Sequence, residues 1–174
     1  MLVKNKKSFI TYLSILAGIL LLLNLIGRNW YKRIDLTDNK MYSLSKSSED
    51  VLGKIDDLLT MKVYFSDDLP GELSNTQRFL QDLLEEYEAQ SDNIRFFFTN
   101  PESNEDLEEE ARKDGIQPVQ MQVVENDKLE IKRVYLGMVI LYEDKKETIP
   151  VIQTATGLEY LITTKIKTLV NTDK

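Results

Sequence analysis

The chain has 174 residues, a formal net charge of −7, and neither cysteine nor histidine. Without cysteine there is no disulfide or thiol chemistry, and without histidine the usual general base near neutral pH and the commonest transition-metal ligand are missing. Ser–His–Asp and Cys–His nucleophilic systems and thiol oxidoreductases are thereby excluded, and a zinc enzyme is disfavoured.

The charge is unevenly spread. Six of the 22 basic residues and none of the 29 acidic ones lie in the first 33 positions, which leaves 16 against 29 and a formal charge of −13 for the remainder. Such a remainder is a poor electrostatic match for nucleic acid or an anionic bilayer. At about 140 residues it is large enough for one domain with its own core.

Ser8 to Ile26 is an uncharged run of nineteen residues, apolar on all faces. At ~1.5 Å per residue a helix of this length covers about the ~30 Å hydrocarbon thickness of a bilayer. The rival is a cleavable signal peptide, whose apolar region is shorter and ends in a small-x-small site. The run here ends in Leu25-Ile26-Gly27-Arg28-Asn29-Trp30, which lacks that site, so an uncleaved signal anchor is expected. Lys4, Lys6 and Lys7 before the run balance Arg28, Lys32 and Arg33 after it, and the free amino terminus tips the orientation towards N-in. Trp30 and Tyr31 suit the far interface. Ser14 and Gly18 form a small-xxx-small pair, and Asn24 is a polar group one turn from the end; all three are candidate helix-packing residues.

Asp35 to Lys40 reads as a polar turn. Ser45 and Ser47 are candidate caps of a helix carrying Val51, Leu52, Ile55, Leu58 and Leu59 on one face. Met61–Phe65 is a short strand, followed by a loop with Pro70. A helix over about 72–90 presents Phe79, Leu80, Leu83, Leu84 and Tyr87, and Ile94–Phe98 is a nearly continuous apolar strand. Its three phenylalanines, Phe96, Phe97 and Phe98, are expected in the core on both sheet faces. Strand–helix–strand of this kind predicts a right-handed parallel crossover.

An acidic helix over Glu102–Lys113 is stopped by Gly115. Gly115-Ile116-Gln117-Pro118 leads into a third core strand, Val119–Glu125. Lys128–Lys132 is a short polar edge strand, and Val134–Tyr142 and Thr148–Ile152 form an antiparallel hairpin. Tyr135 and Tyr142 are expected to be partly exposed. Thr156 and Glu159 have the spacing of a capping box opening a last helix with an apolar stripe from Leu158 to Val170.

This order predicts an α/β fold: one transmembrane helix followed by a thioredoxin-like α/β domain, with a small doubly wound domain as the alternative. Pro118 stands where thioredoxin-like folds place a cis-proline. The organisation expected is a cytoplasmic tail over 1–7, a signal anchor over 8–26, a juxtamembrane collar over 27–45 and an extracytoplasmic domain over 46–174.

No catalytic, cofactor-binding or metal-binding set is legible. Asp67 and Asp68, in the loop where a redox pair would sit, read as a solvated turn. Glu105, Glu108 and Glu109 read as an exposed helix face without a ligand cage. The isolated glycines make neither a P-loop nor a dinucleotide fingerprint.

The stretch Arg33-Ile34-Asp35-Leu36-Thr37, then Lys40 and Tyr42-Ser43-Leu44-Ser45, directly after an N-terminal span, resembles the start of the GldG-like family. Leu158-Glu159-Tyr160, Ile162-Thr163 and Ile166-Lys167 resemble the helix that closes that family's first domain. These proteins are auxiliary extracytoplasmic components of bacterial ABC transport systems, first associated with gliding motility. The resemblance implies a single-pass anchor in the inner membrane, a periplasmic domain, and assembly with a permease and, through it, a cytoplasmic ATPase. It supplies no ligand residues, and the small-molecule ligand is unknown. Family members typically continue into a second α/β domain and often a C-terminal span, so the chain is expected to be either a fragment or subunit of a larger protein or a reduced form. Arg33, Asp35 and Tyr42 are the candidate contacts of a docking collar against the permease. Rival readings are an envelope solute- or polymer-binding protein, and an enzyme of degenerate thioredoxin type.

Overall fold

The computed structural model describes residues 6–29, 44–125 and 128–171; within these, side chains at 6–8, 23, 25–29, 123–125 and 128–129 are not described. The contacts divide the chain into two compact units, Met1–Leu36 and Thr37–Lys174.

The first unit contains α1, Lys6–Asn29. Ser14, Gly18 and Asn24 lie on it and are exposed, and a Cβ added at Gly18 would meet nothing within 4 Å. The large apolar side chains from Phe9 to Leu22 are between 49% and 63% exposed. Among the described residues, no helix is long and apolar enough to cross a membrane. The described side chains of α1 run without a break only from Phe9 to Leu22, about 21 Å at ~1.5 Å per residue.

The second unit is a mixed α/β domain. Its elements are α2 (Lys46–Leu52), β1 (Leu59–Phe65), α3 (Gly71–Gln90), β2 (Ile94–Thr99), α4 (Glu105–Lys113), β3 (Val119–Glu125), β4 (Lys128–Val134), β5 (Leu136–Tyr142), β6 (Lys145–Ile149) and α5 (Leu158–Asn171). The central sheet has the order β2-β1-β5-β6. β1 and β2 are parallel, as the crossover predicts; β5 runs antiparallel to β1 and β6 antiparallel to β5.

Both faces of β1 are used. Leu59, Met61, Val63 and Phe65 join the main core with Leu80, Leu84 and Tyr87 of α3 and Ile162, Ile166 and Leu169 of α5. Tyr64, on the other face, joins a smaller core with Ala111, Ile116, Tyr135 and Val139. Two faces buried against helices account for the short, nearly unbroken apolar strands.

Several sequence expectations are corrected. The helix after Ser45 ends at Leu52, with Gly53 as its C-cap. The chain then turns through bonds from Lys54 N–H to Val51 C=O and from Ile55 N–H to Leu52 C=O. Leu58 is therefore 54% exposed, and Leu59 opens β1. β3 is not a core strand. It pairs along its whole length with β4 as a separate two-stranded ribbon. Its alternating Gln120 and Gln122 suit a ribbon with a wet face, whereas a central strand is covered on both sides. Among the described residues no peptide bond is cis, so the bond before Pro118 is trans. The acidic helix begins at Glu105 rather than Glu102, because Pro101–Ser103 forms a separate 3-10 turn and Asn104 caps α4 by accepting from Leu107 N–H. The hairpin turns at Glu143-Asp144, and its second strand ends at Ile149, earlier than expected. Phe96 and Phe98 pack on the core, but Phe97 is 56% exposed. Tyr135 and Tyr142 are buried, and their hydroxyls donate to Glu108 and Asp56.

Candidate functional site

Two polar constellations stand out in the α/β domain. The first joins α2 to α5 and α3. Ser45 caps α2, its side chain accepting from Ser48 N–H. Its own N–H donates to Glu159 Oε1 at 2.8 Å. The Ser48 hydroxyl donates to the same oxygen at 2.6 Å and lies 2.8 Å from Thr163 Oγ1. Thr163 Oγ1 in turn lies 2.6 Å from the hydroxyl of Tyr87. Ser48 and Thr163 are buried, yet among the described residues no buried side-chain polar atom lacks a partner.

Burial pushes the Glu159 carboxyl up, but the hydrogen bonds from Ser48 and Ser45 outweigh it and hold the group below the usual carboxylate range. Burial raises the Tyr87 phenol above its ordinary range. The capping box expected between Thr156 and Glu159 is thus replaced by a long-range cap. Glu159 serves the start of α2, 114 residues away, and α5 begins only at Leu158, after Gly157 with φ 73°. The sequence spacing is the same for a local and a distant partner, so it could not reveal this.

The second constellation is a cleft of ≈440 Å³ lined by α4, the turn after it and Tyr135. The turn is built by Gly115 at φ 85°, a left-handed conformation that favours glycine. Gly115 N–H bonds to Arg112 C=O and Ile116 N–H to Ala111 C=O, the paired closure of a Schellman motif. This buries Ile116 and carries Gln117 and Pro118 to the cleft wall. Glu108 Oε1 accepts from the Tyr135 hydroxyl and from Arg133 Nη2, each at 2.9 Å. These bonds hold the Glu108 carboxyl below its ordinary value, Tyr135 first. Burial and then Glu108 push the Tyr135 phenol up.

Two further carboxylates of α4 are paired as well. Glu109 pairs with Lys113 at 3.1 Å, and Lys62 pairs with Glu110. Asp114 accepts from the Tyr64 hydroxyl at 2.8 Å, with Lys146 at 3.7 Å. Burial and then Asp114 raise the Tyr64 phenol above its ordinary range. Asp67 accepts from Asn100 Nδ2 at 2.7 Å. Among the described residues no group of three Asp or Glu is placed to hold a metal ion. The arrangement offers polar contacts and an apolar floor.

Residues 38–141 match the family model described as a domain of unknown function, DUF7088. The chain belongs to the DUF7088 family. The match opens before α2 and closes inside β5, so it takes in β1, α3, β2, the cleft and the ribbon. An uncharacterized protein of Borreliella burgdorferi is 25% identical over 172 residues, which is 98% of this chain and 34% of that protein. The chain thus spans about a third of the length of that relative. No solved structure matches it.

Ser14, Gly18 and Asn24 fall in the first unit. Arg33, Asp35 and Tyr42, with Trp30 and Tyr31, lie outside the described residues.

Proposed function

We propose that the protein is a membrane-anchored, non-catalytic auxiliary subunit of an ABC transporter, of the GldG-like kind. Its α/β domain is an interaction module on the far side of the membrane, beside the permease. The observation that carries this reading is α1. Its backbone is helical across the whole uncharged run Ser8–Ile26. Such a helix, half-exposed through its described apolar side chains, is costly in water and stable in lipid. The signature from Arg33 to Ser45 follows directly, and its last residue is tied to Glu159.

The finer fold reading is thioredoxin-like. The order β2-β1-β5-β6, one parallel pair and an antiparallel hairpin support it over a doubly wound domain. In this reading the β3–β4 ribbon is an insertion between α4 and β5. The trans bond at Pro118 removes one argument for the analogy, and the strand order now carries it. The absence of both cysteine and histidine favours an interaction module over an enzyme of this fold.

An envelope solute- or polymer-binding protein is the second reading, and the cleft beside Tyr135 favours it. Alkaline carbonate extraction of native membranes, with protease added to intact spheroplasts, tests the anchor and its orientation. The protein is expected in the membrane pellet with its α/β domain digested from outside. Complete release into the supernatant, or a domain protected until the cells are broken, contradicts the reading.

A further inference from the structure

The two edges of the central sheet are unlike. β6 carries Lys145, Lys146 and Glu147, and charges on an edge strand discourage the addition of another strand. β2 has the sequence IRFFFT, pairs with β1 in an unbroken register, and has no proline. Among the described residues no strand pairs with its outer side.

The backbone directions follow from the register. In a parallel pair, alternate residues turn their N–H and C=O towards the neighbour. Leu59 N–H donates to Asn93 C=O at 2.8 Å. Asn93, Arg95, Phe97 and Thr99 therefore face β1, while Ile94, Phe96 and Phe98 turn their backbone groups outward. The Arg95 guanidinium bonds the outward carbonyl of Ile94 at 2.7 Å. The outward groups of Phe96 and Phe98 have no such cover from Arg95.

We infer that β2 is a self-association edge, where two copies of the chain join β2 to β2 antiparallel about a two-fold axis. The strand is complementary to itself in the register centred on Phe96. There Phe96 stands opposite Phe96 of the second copy and exchanges both hydrogen bonds with it, and Ile94 stands opposite Phe98, whose N–H can take the Ile94 carbonyl while the Ile94 N–H stays with Ser91 C=O at 3.2 Å. On the other sheet face the same register sets Arg95 opposite Phe97 of the second copy. Both side chains are about half exposed in the single chain, 48% for Arg95 and 56% for Phe97. A guanidinium over an aromatic face is an attractive pair. The incoming Phe98 N–H takes the Ile94 carbonyl, and the Arg95 guanidinium, which lies 3.7 Å from Glu88 Oε1 in the single chain, turns over the opposite ring. An isologous contact of this kind closes on itself as a dimer.

The test uses the intact protein purified in detergent. Light scattering is expected to give a dimer, and Phe97→Lys, at an exposed site, is expected to abolish it. Because the chain has no cysteine, single thiols report the register. An equimolar mixture of Arg95→Cys and Phe97→Cys chains is expected to form disulfide-linked dimers faster than either variant alone, since only the mixed pair is directly opposed. Lys146→Cys on the opposite edge gives the background rate. A monomer, a dimer that survives Phe97→Lys, or mixed cross-linking no faster than the Lys146→Cys background overturns the inference.

Discussion

Replacing Gly137 with alanine is expected to destabilise the α/β domain by about 3 kcal/mol, at the upper end of ordinary overpacking costs. Gly137 lies in β5 opposite Tyr64, on the face that packs against the turn after α4. A Cβ there would stand 2.7 Å from Ile116 Cδ1, 2.9 Å from Ile116 Cγ2 and 2.7 Å from the carbonyl oxygen of Pro150. The isoleucine has rotamers to offer, although it is fully buried. The Pro150 carbonyl has little freedom, because Ile152 N–H two residues on is bonded to Leu136 C=O. The strain therefore falls on β5 and on the floor of the cleft together. Denaturant unfolding of Gly137→Ala against wild type checks this. Gly71→Ala is the control, since a Cβ there meets nothing within 4 Å; its stability should be unchanged or slightly higher. A loss at Gly137 no larger than at Gly71 would show that the Pro150 segment yields freely.

The second large effect belongs to Glu159. Its replacement by alanine leaves the Ser45 N–H and the buried Ser48 hydroxyl without their acceptor. A loss of about 2 kcal/mol is expected, from the central range for hydrogen bonds to a charged group, kept modest because the carboxylate is partly solvated. The same group gives the domain a pH dependence. Its folded pKa lies below the ordinary 4.5. Its contribution is therefore fully present above about pH 4.5 and is lost as the pH falls through the lower folded value. Glu159→Gln removes the charge but keeps an acceptor. It should be less stable than wild type at neutral pH and should close part of that gap on acidification. A constant difference between the two proteins from pH 7 to pH 3 would exclude Glu159 as the titrating group.

The parallel crossover was legible because Ile94–Phe98 and the face of α3 follow the periodicities of a covered strand and an amphipathic helix. The end of α2 was misread for a physical reason. Val51, Leu52, Ile55, Leu58 and Leu59 have helical spacing, yet Ile55 enters the core from a turn and Leu59 from a strand. Spacing along the chain does not record where the chain bends. β3 was misassigned because alternation marks a strand without naming its partner, and β4 claims it completely. Phe97 was expected inside because its neighbours are apolar. α4 is only nine residues long, however, and covers the Tyr64 end of that sheet face. Of the cleft, only the acidic helix could be anticipated. Arg133 and Tyr135 reach Glu108 across 25 and 27 residues, beyond any local pattern.

The joint between Ser45 and Glu159 is a structural one. It ties the start of α2 to α5 within the α/β domain. The central claim is that this domain serves a transporter, and affinity purification of the intact protein from membranes of its native host tests it most directly. Mass spectrometry of the co-purified material should find an ABC permease and its ATPase. Recovery of neither, under conditions that keep other transporters assembled, would contradict the account and favour a stand-alone envelope binding protein.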